Sequence, residues 1–161
     1  MGTRAGVAAL ALAALPLAGQ AGQPAWVLAR EAKNGFADLW DASVAARREF
    51  VACLGGRLEG DTVFVTAILP IEAAQADSLT AEALGSIERC GPPEWIGTIH
   101  SHIRSTDDDA PSPHFSPSDR AVMSAWVRRW GQQGAFCLLD SGSSAQCEVS
   151  PPGVPLRPRR H

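Results

Sequence analysis

The sequence carries no excess of positive charge. Its 161 residues include 14 Lys and Arg against 17 Asp and Glu, which gives a formal net charge of -3 and an isoelectric point near 5.8. Arg157, Arg159 and Arg160 cluster in a short C-terminal tail, and such tails are usually just solvated. A nucleic-acid-binding domain needs a basic surface that neutralises phosphates, so we expect no nucleic acid among the partners.

The chain also lacks Cys-x-x-Cys spacing and internal repeats. Its four cysteines are therefore not expected to form a structural zinc site. In an exported protein we expect them to form disulfides. Cys137 and Cys147 lie symmetrically about Gly142, which favours a bridge between them and leaves Cys53 and Cys90 as the second pair. Three pairings are formally possible, and four buried free thiols are the alternative to all of them.

A hydrophobic run long enough to cross a membrane comfortably is missing as well. Residues 1–21 contain Arg4, an uncharged Ala/Leu-rich run over 7–18 and small residues at 19–21, a pattern typical of a secretory signal peptide. We therefore expect a cleaved signal and a protein that is exported to the periplasm or secreted. Two alternatives stay open. An uncleaved segment would anchor the protein in a membrane, and an Ala-rich terminus that is not a signal would leave it in the cytoplasm.

The rest of the chain divides into a domain at 22–150 and a Pro/Arg-rich tail at 151–161. This domain is large enough for one hydrophobic core and too small for a second catalytic domain. Its hydrophobic periodicity and turn residues alternate helices with strands and include two hairpins, so we predict an α/β fold with a mixed β-sheet flanked by helices. The predicted helices cover 26–48, 78–88 and 117–130, and the predicted strands cover 50–54, 63–69, 95–99, 135–139 and 145–149.

The stretch from 95 to 120 carries the clearest chemical signal. A short apolar strand leads into His100 and His102, and alternation along the strand places both imidazoles on one face. Two such imidazoles suit Zn²⁺, which needs a third protein ligand if one position is to stay open for water. Asp119 is the candidate, in the first turn of a helix that begins at Ser116 and Pro117. The alternatives are core or surface histidines and an ordinary helix start.

Glu49 adds a separate element far upstream, where it opens an otherwise apolar strand. A buried carboxylate is costly unless something uses its charge. Taken together, the candidates resemble the JAMM (MPN+) zinc metalloproteases over roughly residues 47–140. The family pattern is a Glu, then His-Ser/Thr-His, then Ser-x-x-Asp, and it matches Glu49, His100, His102, Ser116 and Asp119 in order and in local context.

This resemblance implies a JAMM/MPN-like, cytidine-deaminase-like single domain with one bound Zn²⁺. His100, His102 and Asp119 would be the metal ligands. Glu49 would be the general base, which takes a proton from the zinc-bound water and passes it to the leaving amine. Ser116 would donate its hydroxyl to the oxyanion of the tetrahedral intermediate, with simple helix capping as the alternative.

The implied function is that of a zinc-dependent metallopeptidase or isopeptidase, which hydrolyses an amide bond in a protein or peptide. Family members commonly act on ubiquitin-like or sulfur-carrier protein tails. Such substrates are cytosolic, whereas the N-terminal segment favours export, so these two expectations conflict. The alternative function is a non-catalytic binding module of the same MPN fold that holds zinc structurally.

The loop at 103–115 departs from the family pattern. Ile103 stands where the family usually has Pro, and the loop is about twice the usual length. His114 and the three aspartates at 107–109 can bind metal, but a solvated loop is the simpler explanation. Because the loop borders the site, we expect it to be mobile and to act as a lid or a substrate selector. Ser101, between the two histidines, faces the opposite side of the strand and is expected to be structural.

Overall fold

The computed structural model describes residues 24–71, 79–103 and 112–150. The expected signal at 1–21, the tail at 151–161 and the loop positions 104–111 lie outside this range. Among the described residues, no helix has the length and apolar character needed to span a membrane. The elements, in chain order, are β1 (Ala25–Leu28), α1 (Arg30–Ala46), β2 (Val51–Glu59), β3 (Thr62–Pro70), α2 (Leu79–Arg89), β4 (Trp95–Ser101), α3 (Pro117–Trp130), β5 (Ala135–Leu139) and β6 (Ala145–Val149).

All six strands join one mixed sheet in the order β1-β3-β2-β4-β5-β6. The β2–β3 and β5–β6 hairpins and the β2–β4 pair are antiparallel, whereas β1–β3 and β4–β5 are parallel. Gly97 permits the close β4–β5 approach, because a Cβ added there would lie 1.7 Å from the Ala135 carbonyl oxygen. The predicted class, an α/β domain with a mixed sheet flanked by helices, is confirmed.

The predicted start of the first helix is wrong. Residues 25–28 form β1 at the sheet edge, where Trp26 pairs with Val63 and Leu28 with Val65. Trp26 and Leu28 pack against the core, while Val27 between them is 48% exposed. This is the two-residue alternation of a strand. Four residues are too few for a sequence pattern to distinguish that alternation from the helical pattern that follows it.

The two faces of the sheet are covered differently. On one side, called here the α1 face, Leu39 of α1 packs in a buried cluster with strand residues such as Leu54 and Ile99. On the other side, called the α2–α3 face, Trp126 of α3 packs edge to face on Phe136 of β5. Because successive side chains of a strand point to opposite faces, β5 contributes Cys137 and Leu139 to the first cluster and Phe136 and Leu138 to the second.

The two predicted disulfides are both present, and the described residues contain no free cysteine. Cys137 and Cys147 are directly paired across the β5–β6 hairpin, with their Cα atoms 4.1 Å apart. Cys53 in β2 is bonded to Cys90, the residue that follows α2, and this bond spans 37 positions of sequence. The first bridge staples one hairpin, whereas the second ties a helix to the centre of the sheet.

Candidate metal centre

Strand β4 presents both histidines on the α2–α3 face. His100 lies within the strand, and its neighbours Ile99 and Ser101 are fully buried on the α1 side. His102 lies just beyond the strand, where its backbone N–H donates to the Leu139 carbonyl at 2.8 Å and continues the parallel ladder with β5. The two Nε2 atoms are 3.3 Å apart. The predicted convergence of the imidazoles from one strand is therefore seen.

Helix α3 brings Asp119 to the same place. Ser116 is the N-cap residue and Pro117 the first helical residue, as predicted. The Ser116 N–H donates to Asp119 Oδ2 at 2.6 Å, and the Asp119 N–H donates to Ser116 Oγ at 3.2 Å, which together form a capping box. This reciprocal pair fixes the carboxylate on the first turn of the helix, with Oδ1 3.4 Å from His100 Nε2 and Oδ2 3.5 Å from His102 Nε2.

These three side chains fit a metal ion. Their ligand atoms all lie within 4.8 Å of one another. Four ligands placed tetrahedrally at about 2.0–2.1 Å from an ion are about 3.3–3.4 Å from each other. The two Nε2 atoms are 3.3 Å apart, and each lies 3.4 or 3.5 Å from a different oxygen of the Asp119 carboxylate. Two imidazoles and one carboxylate leave one tetrahedral position for a fourth ligand, which is how catalytic zinc sites are arranged.

A second contact orients His102. Its Nδ1 lies 3.0 Å from the Ser112 carbonyl oxygen, so a hydrogen on Nδ1 can be donated there while Nε2 faces the cluster. The hydrogen bond with Asp119 raises the pKa of His102, more than burial lowers it. For Asp119, burial alone would raise the pKa, but the hydrogen bonds from His100, His102 and the Ser116 N–H together hold the pKa well below its usual range. Without metal, the cluster therefore favours the ionised form of Asp119 and shifts His102 toward its protonated form.

Glu49 stands beside this cluster on the segment between α1 and β2. Arg47, with φ of 52°, adopts the left-handed conformation and ends α1, so the chain turns toward the sheet just before Glu49. Burial raises the pKa of Glu49, more than the nearby His102 and His100 lower it. A carboxylate whose pKa is raised toward neutrality is a better proton acceptor and donor at the pH of the cell, which suits the predicted role of general base.

A chain of buried hydrogen bonds fixes the backbone next to Glu49. The Phe50 N–H donates to Ser101 Oγ at 2.9 Å, Ser101 Oγ is 2.7 Å from Ser43 Oγ, and Ser43 Oγ donates to the Leu39 carbonyl at 2.7 Å. The structural role predicted for Ser101 is confirmed. Ser43 was not predicted from the sequence. The one indication is that Ser43 is a polar residue on the apolar side of α1, four positions after Leu39.

Ser116 lines the same cavity as Glu49 and the two histidines. Its Oγ accepts the hydrogen bond from the Asp119 N–H, so the helix-capping alternative is confirmed. Accepting that bond does not use the hydroxyl hydrogen, which can still be donated. The predicted contact with an oxyanion therefore stays a prediction.

The described part of the long loop adds one aromatic contact. Phe115 is buried, and its ring lies 5.9 Å from the His100 ring, against the wall of the site. Phe115 was not predicted from the sequence, although it directly precedes Ser116. His114 is exposed and is not among the grouped metal-binding side chains. The three aspartates at 107–109 lie outside the described residues.

Two solved structures resemble the chain in fold. A JAB1/MPN domain protein from Archaeoglobus fulgidus aligns with a TM-score of 0.42 and 17% identity over 79% of this chain and 96% of that one. The chain is similar to a JAB1/MPN domain protein. A protein from Desulfitobacterium hafniense aligns with a TM-score of 0.44 and 17% identity over 77% of this chain and 82% of that one. No family model and no curated protein matches the sequence. At this distance neither similarity assigns an activity to the chain.

Proposed function

We propose that the protein is a zinc-dependent hydrolase of amide bonds, a metallopeptidase or isopeptidase of the JAMM type. The observation that carries this proposal is the meeting of His100 Nε2, His102 Nε2 and the Asp119 carboxylate at separations of 3.3 to 3.5 Å, beside the half-buried Glu49. A metal site built only for stability does not need an additional carboxylate at its edge, whereas a hydrolytic site needs a group there that accepts a proton.

The three side chains would hold one zinc ion through two neutral imidazole nitrogens and a carboxylate oxygen. When bound, zinc in such a site lowers the pKa of a coordinated water to about 7 and so supplies a nucleophile at neutral pH. The Ser112 carbonyl keeps the hydrogen of His102 on Nδ1, which leaves the Nε2 lone pair directed at the site. The capping box holds the Asp119 carboxylate in place before the ion arrives.

Glu49 moves the proton in this proposal. As a carboxylate it accepts the proton of the attacking water, and as a carboxylic acid it returns that proton to the nitrogen of the leaving amine. The hydrogen-bonded Ser101 and Phe50 keep its backbone in a fixed position relative to the histidines. Ser116 donates its hydroxyl hydrogen to the carbonyl oxygen that becomes negative during attack.

The substrate that we propose is a protein or peptide located outside the cytoplasm. Both disulfides support an oxidising compartment, because such bonds rarely persist in the reducing cytosol. A ubiquitin-like or sulfur-carrier tail fits this site only if the protein stays in the cytosol. Of the two conflicting expectations, export and a cytosolic substrate, export is therefore the better supported.

Metal content and hydrolysis of the same preparations test the proposal. Wild type and Glu49→Gln should each bind one zinc ion, whereas His100→Ala should bind none, since Glu49 contributes no bond to the metal. Glu49→Gln should lower kcat for peptide hydrolysis by roughly 10²–10⁴-fold. Glu94→Gln makes the same chemical change at an exposed residue just before β4 and should behave as wild type.

Two results would contradict the proposal. If Glu49→Gln is as empty of zinc as His100→Ala, Glu49 is a ligand and the assignment of base and ligand is reversed. If wild type binds zinc but hydrolyses neither peptide nor isopeptide substrates, the protein is a non-catalytic module that uses the ion structurally.

A further inference from the structure

A cavity of about 660 Å³ extends from the metal centre into the space between α2 and α3. Glu49, His100, His102, Ser116 and Asp119 form one part of its lining. Binding sites for organic ligands usually have volumes of about 300–1,000 Å³, so the space is large enough for a segment of a substrate and not only for water. Whatever is held here is adjacent to the atoms that would carry out hydrolysis.

The rest of this cavity, called here the apolar groove, is lined by apolar and small side chains. Its polar members beyond the metal centre are hydroxyl groups, and none of the described lining residues there carries a charge. Leu84 at the α2 wall is 56% exposed, and such apolar surface is stabilised when another apolar group covers it. The apolar groove comprises Val51, Ala83, Leu84, Phe115, Ala121, Val122, Met123, Ala125 and Phe136, with Ser86, Thr98 and Ser118.

The walls of the groove are held in position independently of any ligand. Trp126 Nε1 donates to the Cys90 carbonyl at 2.9 Å, and Trp130 Nε1 donates to the Ile87 carbonyl at 2.8 Å, so α3 is attached to the end of α2. The Cys53–Cys90 disulfide attaches that same end to β2. A preformed groove binds with a smaller loss of conformational entropy than one that must be assembled.

We propose that the apolar groove binds an apolar side chain, such as leucine, of the polypeptide substrate close to the bond that is cleaved. This inference rests on the proposed function, since it names the substrate class of that same site. The occupant is an extended polypeptide because the groove is continuous with the metal centre. It is apolar because a lysine or glutamate side chain would lose hydration in the groove without meeting a charged partner among the described residues of the apolar groove itself.

Peptide binding to the zinc-loaded Glu49→Gln variant tests the inference without requiring turnover. Fluorescein-labelled peptides of glycine and serine, which differ only in one central leucine, lysine or glutamate, are compared by fluorescence anisotropy. The leucine peptide should bind roughly 10- to 100-fold more tightly than either charged peptide, as expected for burial of one apolar side chain.

Two aspartate substitutions on α3 locate the binding site. Ala121 and Ser124 are both exposed on this helix, but only Ala121 lines the groove. In the Glu49→Gln background, Ala121→Asp should weaken binding of the leucine peptide about tenfold and strengthen that of the lysine peptide. Ser124→Asp adds the same charge and should change neither. Circular dichroism and zinc content confirm that both variants are folded and loaded.

The outcomes separate the two proposals. Equal binding of the three peptides, or equal responses of Ala121→Asp and Ser124→Asp, would overturn the apolar groove as a substrate site, whether or not wild type hydrolyses peptides. The expected binding pattern together with a wild type that cleaves none of these peptides or isopeptide substrates would leave the groove in place and overturn the proposed hydrolysis.

Discussion

The α1 face and the α2–α3 face are made from alternating residues of the same strands, yet they differ in how they are covered. On β4, Ile99 points to α1 and is fully buried, whereas His100 points to the other side and reaches a cavity. One helix packs over the central strands on the first face, while two helices with a cavity between them cover the second. Polar groups of the candidate site can therefore stand one residue away from a dry core without entering it.

Ser101 joins the two faces. Its side chain is on the α1 face and bonded to Ser43, but its Oγ accepts the Phe50 N–H one residue from Glu49. The core side of the sheet thereby determines the position of a group on the site side. The two faces thus differ in the helices that cover them and in their chemistry, and the hydrogen bonds of Ser101 connect them.

A large effect on stability, up to about 5 kcal/mol, is expected on the α1 face. Leu39→Ala removes a buried side chain from the centre of that cluster and should lower the free energy of unfolding by about 2–5 kcal/mol in urea denaturation. Zinc stoichiometry of the folded protein should stay at one. Val44→Ala, at a half-exposed position of the same helix, should change stability by less than about 0.5 kcal/mol. Loss of zinc before unfolding in Leu39→Ala would show that the faces are not separable.

The two disulfides offer a finer comparison, because Cys53 lies on the α2–α3 face and Cys137 on the α1 face. The bridges close loops with sequence separations of 37 and 10. Replacing both cysteines of one bridge by alanine should lower the free energy of unfolding through the loop entropy of the unfolded chain. The expected decrease is about 4 kcal/mol for the longer loop and about 3 kcal/mol for the shorter one.

Removing the Cys53–Cys90 bridge should also weaken binding of the leucine peptide, because this bridge holds the α2 wall. The Cys137–Cys147 variant is the matched control, and its peptide affinity should equal that of the parent. Urea denaturation and anisotropy on the two double variants measure both quantities. A larger loss of affinity in the hairpin variant would contradict the assignment of the groove wall to α2.

The smallest expected effect is a pH dependence confined to the α2–α3 face. In metal-free protein the contact with Asp119 raises the pKa of His102 above its value of about 6.5 in the unfolded chain. This contact therefore stabilises the fold fully below about pH 6.5. The stabilisation is lost as the pH rises through the pKa of His102 in the native protein. Because the pKa of Asp119 is lowered in the native protein, its contribution to the stability of the fold persists down to below pH 4. Between pH 6 and 8 the Tm of EDTA-treated protein should therefore fall.

Zinc should reverse this trend, because it binds the neutral imidazole and competes with the proton. The gain in Tm on adding zinc should increase from pH 6 to pH 8. Thermal melts with and without zinc at each pH make the measurement. A metal-free Tm that rises over this range, or a zinc-induced gain that shrinks, would show that the cluster does not control the pH dependence.

Local signals sufficed for most of the fold and for the convergence of the candidate ligands. The hairpin that joins the predicted strands 50–54 and 63–69 and the helix start at Ser116 and Pro117 are each encoded within a few residues. The structure has the β2–β3 hairpin at the first place and a capping box at the second. The alternation around His100 depends only on strand geometry. Each of these features was predicted because its cause lies close by in sequence.

The features that escaped prediction depend on contacts between distant segments. Strand β1 exists because β3 offers an edge to pair with, and its four residues carry no pattern of their own. Ser43 becomes informative only when Ser101 is brought to it across the α1 face. The apolar groove is a consequence of how α2 and α3 pack, which residues such as Ala121 do not reveal in isolation.

The capping box at the start of α3 has a kinetic consequence. The Asp119 carboxylate both closes the helix terminus and faces the two imidazoles, so the first turn cannot fray without withdrawing a candidate ligand. Helix ends normally open and close far faster than the rest of a domain unfolds. The residence time of an ion bound here would then be governed by fraying of a single turn, and amide hydrogen exchange at Asp119 and Arg120 would follow the lifetime of the complex.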